Sequence, residues 1–298
     1  MTAVTAQHAL TQAHANGVAR LDAQWLLLHA LGRPSQDRGW LLAHDDLVLT
    51  DAQIRVYDGL LQRRAQGEPL AYLVGSKEFF GLTLQVDARV LVPRPDTETL
   101  VYWAVEVLGT IAIAEGDTLD LLDLGTGSGA VALALAHELL AQGRSVRTVA
   151  VDASQDALTV ASANAAVLGL AVKFIHSDWL AHVAGRFHLI VSNPPYVAAA
   201  DPHLAALQHE PTSALTSGPD GLNDLRVIIS QAPAHLHHGG WLLLEHGYDQ
   251  AAAVRDLLAH AGFVELDTRL DLAGITRCSG GQWLGLPDSA NSEIIASS

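Results

Sequence analysis

The chain changes its hydrophobic rhythm twice. Over residues 1 to about 75, apolar positions recur at helical spacing, with Leu21, Trp25, Leu28 and Leu31 in one run and Ile54, Tyr57, Leu60 and Leu61 in another. A period near 3.6 marks helices that turn one face to a core. Ser35 and Thr50 stand where N-caps belong, and Gly67-Glu68-Pro69 closes the last long run. No alternation of period two interrupts the stretch, so a small helical bundle is expected. From Glu78 to Val86 the rhythm shortens to two and Val90-Leu91-Val92 follows, which predicts a β-hairpin in a linker over 76–95. Pro93-Arg94-Pro95 stops it, and a helix over 96–107 comes next.

From residue 119 onward strands and helices alternate. Strands are expected at 119–124, 146–151, 172–176, 188–192, 241–245 and 264–269, with a last one near 278–284. Helical stretches separate most of them, the mark of an α/β fold with a doubly wound, mostly parallel, seven-stranded sheet over 96–286. Residues 287–298 are small and polar and predict a disordered tail.

Leu121-Leu122-Asp123-Leu124-Gly125-Thr126-Gly127-Ser128-Gly129-Ala130 runs an apolar strand into a glycine-rich turn and then a helix. Glycine suits a turn that needs positive φ and a backbone that comes close to a ligand. The helix start offers free N–H groups and a positive dipole end to an anion. That anion is a pyrophosphate in a dinucleotide enzyme and a methionine carboxylate in a methyltransferase. Gly125, Gly127 and Ala130 satisfy one spacing, and Gly125, Gly127 and Gly129 the other. Asp152, just past the next strand, suits two ribose hydroxyls in either case. The loop indicates a nucleotide-like cofactor and no more.

Asn193-Pro194-Pro195-Tyr196, directly after the strand at 188–192, separates the two. Two prolines stiffen the turn and remove competing N–H groups. The Asn193 side-chain oxygen and the Pro194 carbonyl can then face one planar NH2 group as paired acceptors. An amide nitrogen is a poor nucleophile because its lone pair is delocalised into the carbonyl. Hydrogen bonds to both its protons raise electron density on nitrogen and aim the lone pair, and positioning does most of the rest. Tyr196 can pack its ring on the flat face of the target group.

Composition narrows the class. Hydrophobic residues make up 49% of the 298 positions, enough for a sizeable core. No long uncharged apolar run argues for a membrane span, and the N-terminal residues lack an export signal. The single cysteine, Cys278, has no internal disulfide partner, which fits a reducing cytoplasm. A net charge of −15, from 32 acidic against 17 basic side chains, disfavours direct nucleic-acid binding.

Further segments resemble one family throughout. Leu70-Ala71-Tyr72-Leu73-Val74-Gly75, Glu78-Phe79-Phe80-Gly81-Leu82 and Val90-Leu91-Val92-Pro93-Arg94-Pro95-Asp96-Thr97-Glu98 are similar to the linker and hairpin of the HemK family, the bacterial release-factor glutamine methyltransferases. Glu210-Pro211, Gly218-Pro219-Asp220-Gly221-Leu222, Glu245-His246-Gly247 with Gln250, and Asp271-Leu272-Ala273-Gly274 with Arg277 extend the likeness. Thr216-Ser217-Gly218-Pro219 departs from it, since a Gly-Gly pair is common there. The resemblance implies a Rossmann-like methyltransferase that transfers a methyl from S-adenosylmethionine to N5 of the glutamine in the GGQ loop of class-I peptide chain release factors. S-adenosylhomocysteine would be the product. It implies that Gly125, Thr126, Gly127, Ser128 and Gly129 hold the methionine part of the cofactor, Asp152 the ribose, and Trp179 and Asp178 the adenine. Asn193 to Tyr196 would take the glutamine, and Asn193 would also border the cofactor. The helical region would help recognise the release factor, and the enzyme is expected to work as a cytoplasmic monomer without a metal.

Some residues attract attention and carry less. His235, His237 and His238 are expected at the end of an amphipathic helix, where cations suit the dipole. Cys278 is expected as a small buried hydrophobe. Gly280-Gly281-Gln282 repeats the substrate motif within the enzyme and reads as coincidence. Arg94 and Glu98 could contact substrate, though a cap at the hairpin-to-helix junction accounts for Asp96 and Glu98 as well. A nucleic-acid amino methyltransferase, a dinucleotide oxidoreductase and a non-catalytic binder are the alternatives. The first lacks a basic module here, and the second leaves NPPY without a purpose.

Overall fold

The computed structural model describes residues 4–111 and 117–285, and the expected tail at 287–298 lies outside them. Five helices open the chain: α1 (Ala6–Ala15), α2 (Arg20–Ala30), α3 (Arg38–Ala43), α4 (Asp51–Ala65) and α5 (Leu70–Val74). Helix α4 starts as expected, with a capping box between Thr50 and Gln53. Ser35 caps nothing: Asp37 precedes α3, and its side chain makes no cap bond. The buried face of α2 also differs from expectation. Leu21 and Trp25 are exposed, whereas Ala23, Leu26, Leu27 and Leu28 are buried. Leu26-Leu27-Leu28 makes α2 apolar on more than one side, so packing against α1 and α4 selects the face. The buried Tyr57 of α4 marks it by donating its hydroxyl to the Ala23 carbonyl.

The hairpin is shorter than its alternation. Strands β1 (Ser76–Phe79) and β2 (Leu82–Gln85) pair around Phe80-Gly81, both at positive φ, a turn whose twist matches the strands. Val90–Val92 is not an arm of it. The β2 register is already filled by β1, and the 90–92 backbone bonds elsewhere, to Tyr72 and Glu210. A 3₁₀ turn at Pro95–Thr97 then leads into α6 (Glu98–Thr110).

The rest is β3 (Leu119–Leu124), α7 (Ala130–Ala141), β4 (Val146–Asp152), α8 (Gln155–Leu168), β5 (Val172–His176), β6 (Phe187–Ser192), α9 (Asn223–Gln231), β7 (Leu236–Glu245), α10 (Ala251–His260), β8 (Val264–Leu270) and β9 (Thr276–Trp283). The sheet order is β5-β4-β3-β6-β7-β9-β8. The first five strands are parallel, and β9 runs antiparallel between β7 and β8 because 271–275 is too short for a crossover. All six residues of the central β3 are buried. One apolar cluster packs α6 and α7 on one face, and another packs α9 and α10 on the other. The chain reverses its direction of winding between β3 and β6, and there the strand ends open a crevice for ligands.

Strand β7 begins earlier than expected, so His237 and His238 lie on a strand and not at a helix end. The Gly280-Gly281 pair has a packing reason. A Cβ on Gly280 would sit 2.6 Å from the Leu242 carbonyl oxygen, and one on Gly281 2.6 Å from Leu266 Cδ2. Cys278 is buried, and burial pushes its thiol pKa up.

Candidate active site

The glycine loop is tied down by its neighbours. Gly125, Gly127 and Gly129 take φ of 72°, 56° and 85°. The N–H groups of Gly125 and Thr126 both donate to the Val151 carbonyl, at 2.8 and 2.9 Å. Asp152 binds the loop with one carboxylate oxygen, accepting from Gly127 N–H at 2.8 Å, and Ser154 N–H with the other at 2.8 Å. Burial raises the Asp152 pKa against the pull of those bonds. Gly125, Gly127 and Asp152 line a cavity of about 350 Å³ together with Asp178, Trp179, Asn193 and Pro195. Thr126, Ser128 and Gly129 lie behind it. The Thr126 hydroxyl donates to Asp123 at 2.6 Å, the Ser128 carbonyl accepts from Asn164, and a Cβ on Gly129 would meet Leu133 at 2.9 Å.

Asp123 is the first residue that sequence reasoning passed over. It is fully buried, accepts from the Thr126 hydroxyl and Ala132 N–H, and so joins the turn to α7. Burial pushes its pKa up to about 7, with those bonds opposing and the Asp152 charge adding. Trp179 holds φ of +43°, uncommon for a bulky residue, and its indole N–H donates to Asp224 at 3.1 Å. A Gly125 Cβ would sit 3.3 Å from its ring, and the φ of +72° at Gly125 is one that other residues rarely adopt.

The opposite wall is a strap, Arg89-Val90-Leu91, facing Pro211, Ser213 and Ala214. Buried Glu210 fastens it: one oxygen accepts from Val92 N–H at 3.1 Å and the other from Arg94 at 2.5 Å. The Tyr72 hydroxyl, from α5, donates to the Val90 carbonyl at 2.5 Å. Arg94 is therefore engaged in the wall. Glu98 accepts from Phe80 N–H at 3.0 Å, and Asp96 pairs with Arg277 at 3.2 Å.

The NPPY turn follows β6 into the same crevice. Asn193 Nδ2 donates to the Thr97 hydroxyl at 3.1 Å, which leaves Oδ1 as the free end of the amide. Pro194 is buried, and Pro195 borders the cavity. The Tyr196 hydroxyl donates to Glu245 Oε1 at 3.1 Å, and its carbonyl accepts from Gln250 at 3.0 Å. Beyond the turn, Val197 and Ala199 bond to the backbone of Leu215, Ser217 and Gly218. A Cβ on Gly221 would fall 2.2 Å from the Tyr196 carbonyl oxygen, so only glycine allows this approach. Ser217, in the loop that departs from the family's common Gly-Gly pair, accepts Asp224 N–H on its hydroxyl at 2.8 Å and serves the start of α9.

Glu245, at the end of β7, is wholly buried, and burial pushes its pKa up to about 7. Thr97, Glu210 and Glu245 stand in segments singled out from the sequence and Asp224 does not, yet the partners of all four lie 45 to 118 residues away. Nothing in their neighbours along the chain names those partners.

At the other end of the sheet Asp120, His188 and His237 bring donor atoms within 4.8 Å of one another. Asp120 N–H donates to His188 Nδ1 at 3.0 Å, and its carboxylate binds Arg147 at 2.6 Å. With its Nδ1 lone pair taken, a neutral His188 carries its proton on Nε2, so the group is hydrogen-bonded and not an open cage. His238 bonds to the Gly285 carbonyl instead.

Among the described residues no helix is long and apolar enough to cross a membrane. Residues 4–75 match the family model of the PrmC N-terminal domain, and 108–218 that of the methyltransferase small domain. The release factor glutamine methyltransferase of Xylella fastidiosa (strain Temecula1) is 45% identical, over 93% of this chain and 98% of its own. That of Pseudomonas aeruginosa is 46% identical, over 89% and 93%. A methyltransferase structure from Pyrococcus furiosus, 18% identical, shares the fold with a TM-score of 0.52 over 75% of this chain and 100% of its own.

Proposed function

The chain belongs to the release factor glutamine methyltransferase family, and on that premise we propose that it methylates N5 of the glutamine in the GGQ loop of class-I peptide chain release factors. S-adenosylmethionine is the proposed donor. The cavity lining supports this: it holds a carboxylate, Asp152, for the ribose, an indole, Trp179, and Asp178 for the adenine, and glycine backbone for the methionine part. When bound, the cofactor supplies an electrophilic methyl on sulfur. The chain's own residues bind, orient and exclude water.

One observation carries the reading. Asn193 borders the cofactor cavity with its NH2 end taken by Thr97, so its oxygen is the end left to meet a substrate NH2. Pro194 has no N–H and offers its carbonyl as the second acceptor. Two such bonds hold the amide with its nitrogen lone pair toward the methyl, and the fixed geometry lowers the barrier by positioning. The product nitrogen then releases a proton to solvent, so no strong base is needed first.

The helical domain is proposed to dock the release factor, with the enzyme acting as a cytoplasmic monomer that does not bind nucleic acid directly. Incubation with labelled S-adenosylmethionine and a purified release factor, followed by peptide mapping, tests the reading. Label on the GGQ glutamine is expected. Label on RNA or DNA alone would overturn it.

A further inference from the structure

We propose that Glu245 is a positioning residue that sets the polarity of the NPPY turn, fixing Asn193 with its oxygen toward the substrate amide through Thr97. The inference rests on the reading that this turn receives the glutamine NH2. The two ends of an asparagine amide are nearly identical in shape, so packing alone does not choose between them. A flipped Asn193 would turn its NH2 toward the substrate NH2, donor against donor, and the site would be dead.

Thr97 is where the choice is made. Its hydroxyl accepts from Asn193 Nδ2 at 3.1 Å and has one proton to give. In this reading that proton goes to Glu245, whose charged form the Thr97 and Tyr196 hydroxyls both favour. Tyr196 takes Oε1, while Oε2 is buried without a hydrogen-bond partner among the described residues, an acceptor left for Thr97. An ionised carboxylate only accepts, so it forces the order Asn193 to Thr97 to Glu245. A protonated carboxyl can donate, which lets Thr97 turn its own proton to Asn193 and release the flip.

The order therefore depends on pH. Burial holds Glu245 up to about 7. Tyr196 from the turn, Asp96 from the 3₁₀ segment and Arg277 from β9 face it, as does Cys278, whose thiol burial keeps protonated. His246, just past the end of β7, has its pKa lowered by burial. Asp123 lies in the same range, so a variant has to assign the limb.

The experiment measures kcat and KM of full-length Glu245→Gln, Thr97→Val and the double variant on a purified release factor from pH 5.5 to 8.5, with S-adenosylhomocysteine binding by calorimetry. Wild-type kcat is expected to fall as pH drops through about 7. Each single variant should lose roughly tenfold or more in kcat at pH 8 with little change in KM, and lose that limb, while the double variant loses no more than one single. S-adenosylhomocysteine affinity should hold. Glu245→Gln with wild-type kcat and the limb intact would overturn the proposal. If that variant does not fold, Thr97→Val at wild-type rate overturns it equally. Asn193→Ala run alongside separates the two levels: if it transfers normally, the reading of the turn fails, and if it alone is impaired, only the role of Glu245 fails.

Discussion

The crevice has two ends, and each holds a carboxyl that burial pushes up to about 7: Asp123 under the glycine loop and Glu245 under the NPPY turn. The environments are alike and the uses are not. Asp123 takes partners three and nine residues along the chain, Thr126 and Ala132, and locks one turn to one helix. Glu245 takes the hydroxyl of Tyr196, 49 residues away, and the turn it serves also leans on Thr97, Gly221 and Gln250. The glycine turn at the cofactor end is thus locked locally, although distant Glu210 and Asp224 hold that end's outer wall and Trp179, and the substrate end is assembled from distant segments throughout. A site that must meet a whole protein is placed where several elements converge.

The sharpest way to break this comparison is Asn193→Ala. It removes one of two aligned acceptors, so kcat should fall by about 10²- to 10³-fold while S-adenosylhomocysteine affinity changes little. Single-turnover transfer to a release factor measures the first and calorimetry the second. An unchanged rate would make the turn merely structural.

Next is the pH dependence of stability. Both buried carboxyls keep a proton in the folded state that the unfolded chain gives up at its ordinary carboxyl pKa. The folded state binds more protons in between, so the stability each provides is complete below about 4 and is lost as pH rises through about 7, on the order of 3 kcal/mol per group. Denaturant unfolding at pH 5 and pH 8 checks the sign. Asp123→Asn and Glu245→Gln should each flatten part of the slope, and a stability that rises over this interval would contradict both assignments.

Asp152→Ala probes the cofactor end from the other side. Its carboxylate anchors Gly127 and Ser154 and faces the cavity, so cofactor binding should weaken by roughly 1–3 kcal/mol. The KM for the release factor should stay near wild type. An equal loss on both ligands would mean that the two ends are not separable.

The smallest effect expected is from Tyr72→Phe. Its hydroxyl joins the helical domain to the Val90 carbonyl on the cavity wall, and losing it should weaken cofactor binding by about 0.5–1.5 kcal/mol. Deletion of the helical region should then affect the cofactor as well as the release factor. Calorimetry on the point variant settles whether that wall depends on α5.

Much of the molecule was legible along the chain because period and turn chemistry are local. Strands at 119–124 and 172–176 have the bounds expected, because turn residues on either side delimit short, largely apolar segments. The glycine loop, Asp152 and the NPPY turn could be read because each sits at a strand end whose function follows from backbone geometry. Where several faces were apolar, as on α2, or where alternation outran the pairing available, as at Val90–Val92, local pattern was not decisive and packing chose. What Glu210, Thr97 and Glu245 do could be known only once the fold was formed. A buried carboxylate takes its meaning from the donors placed around it, and the tertiary structure brings those donors from segments that share no local pattern.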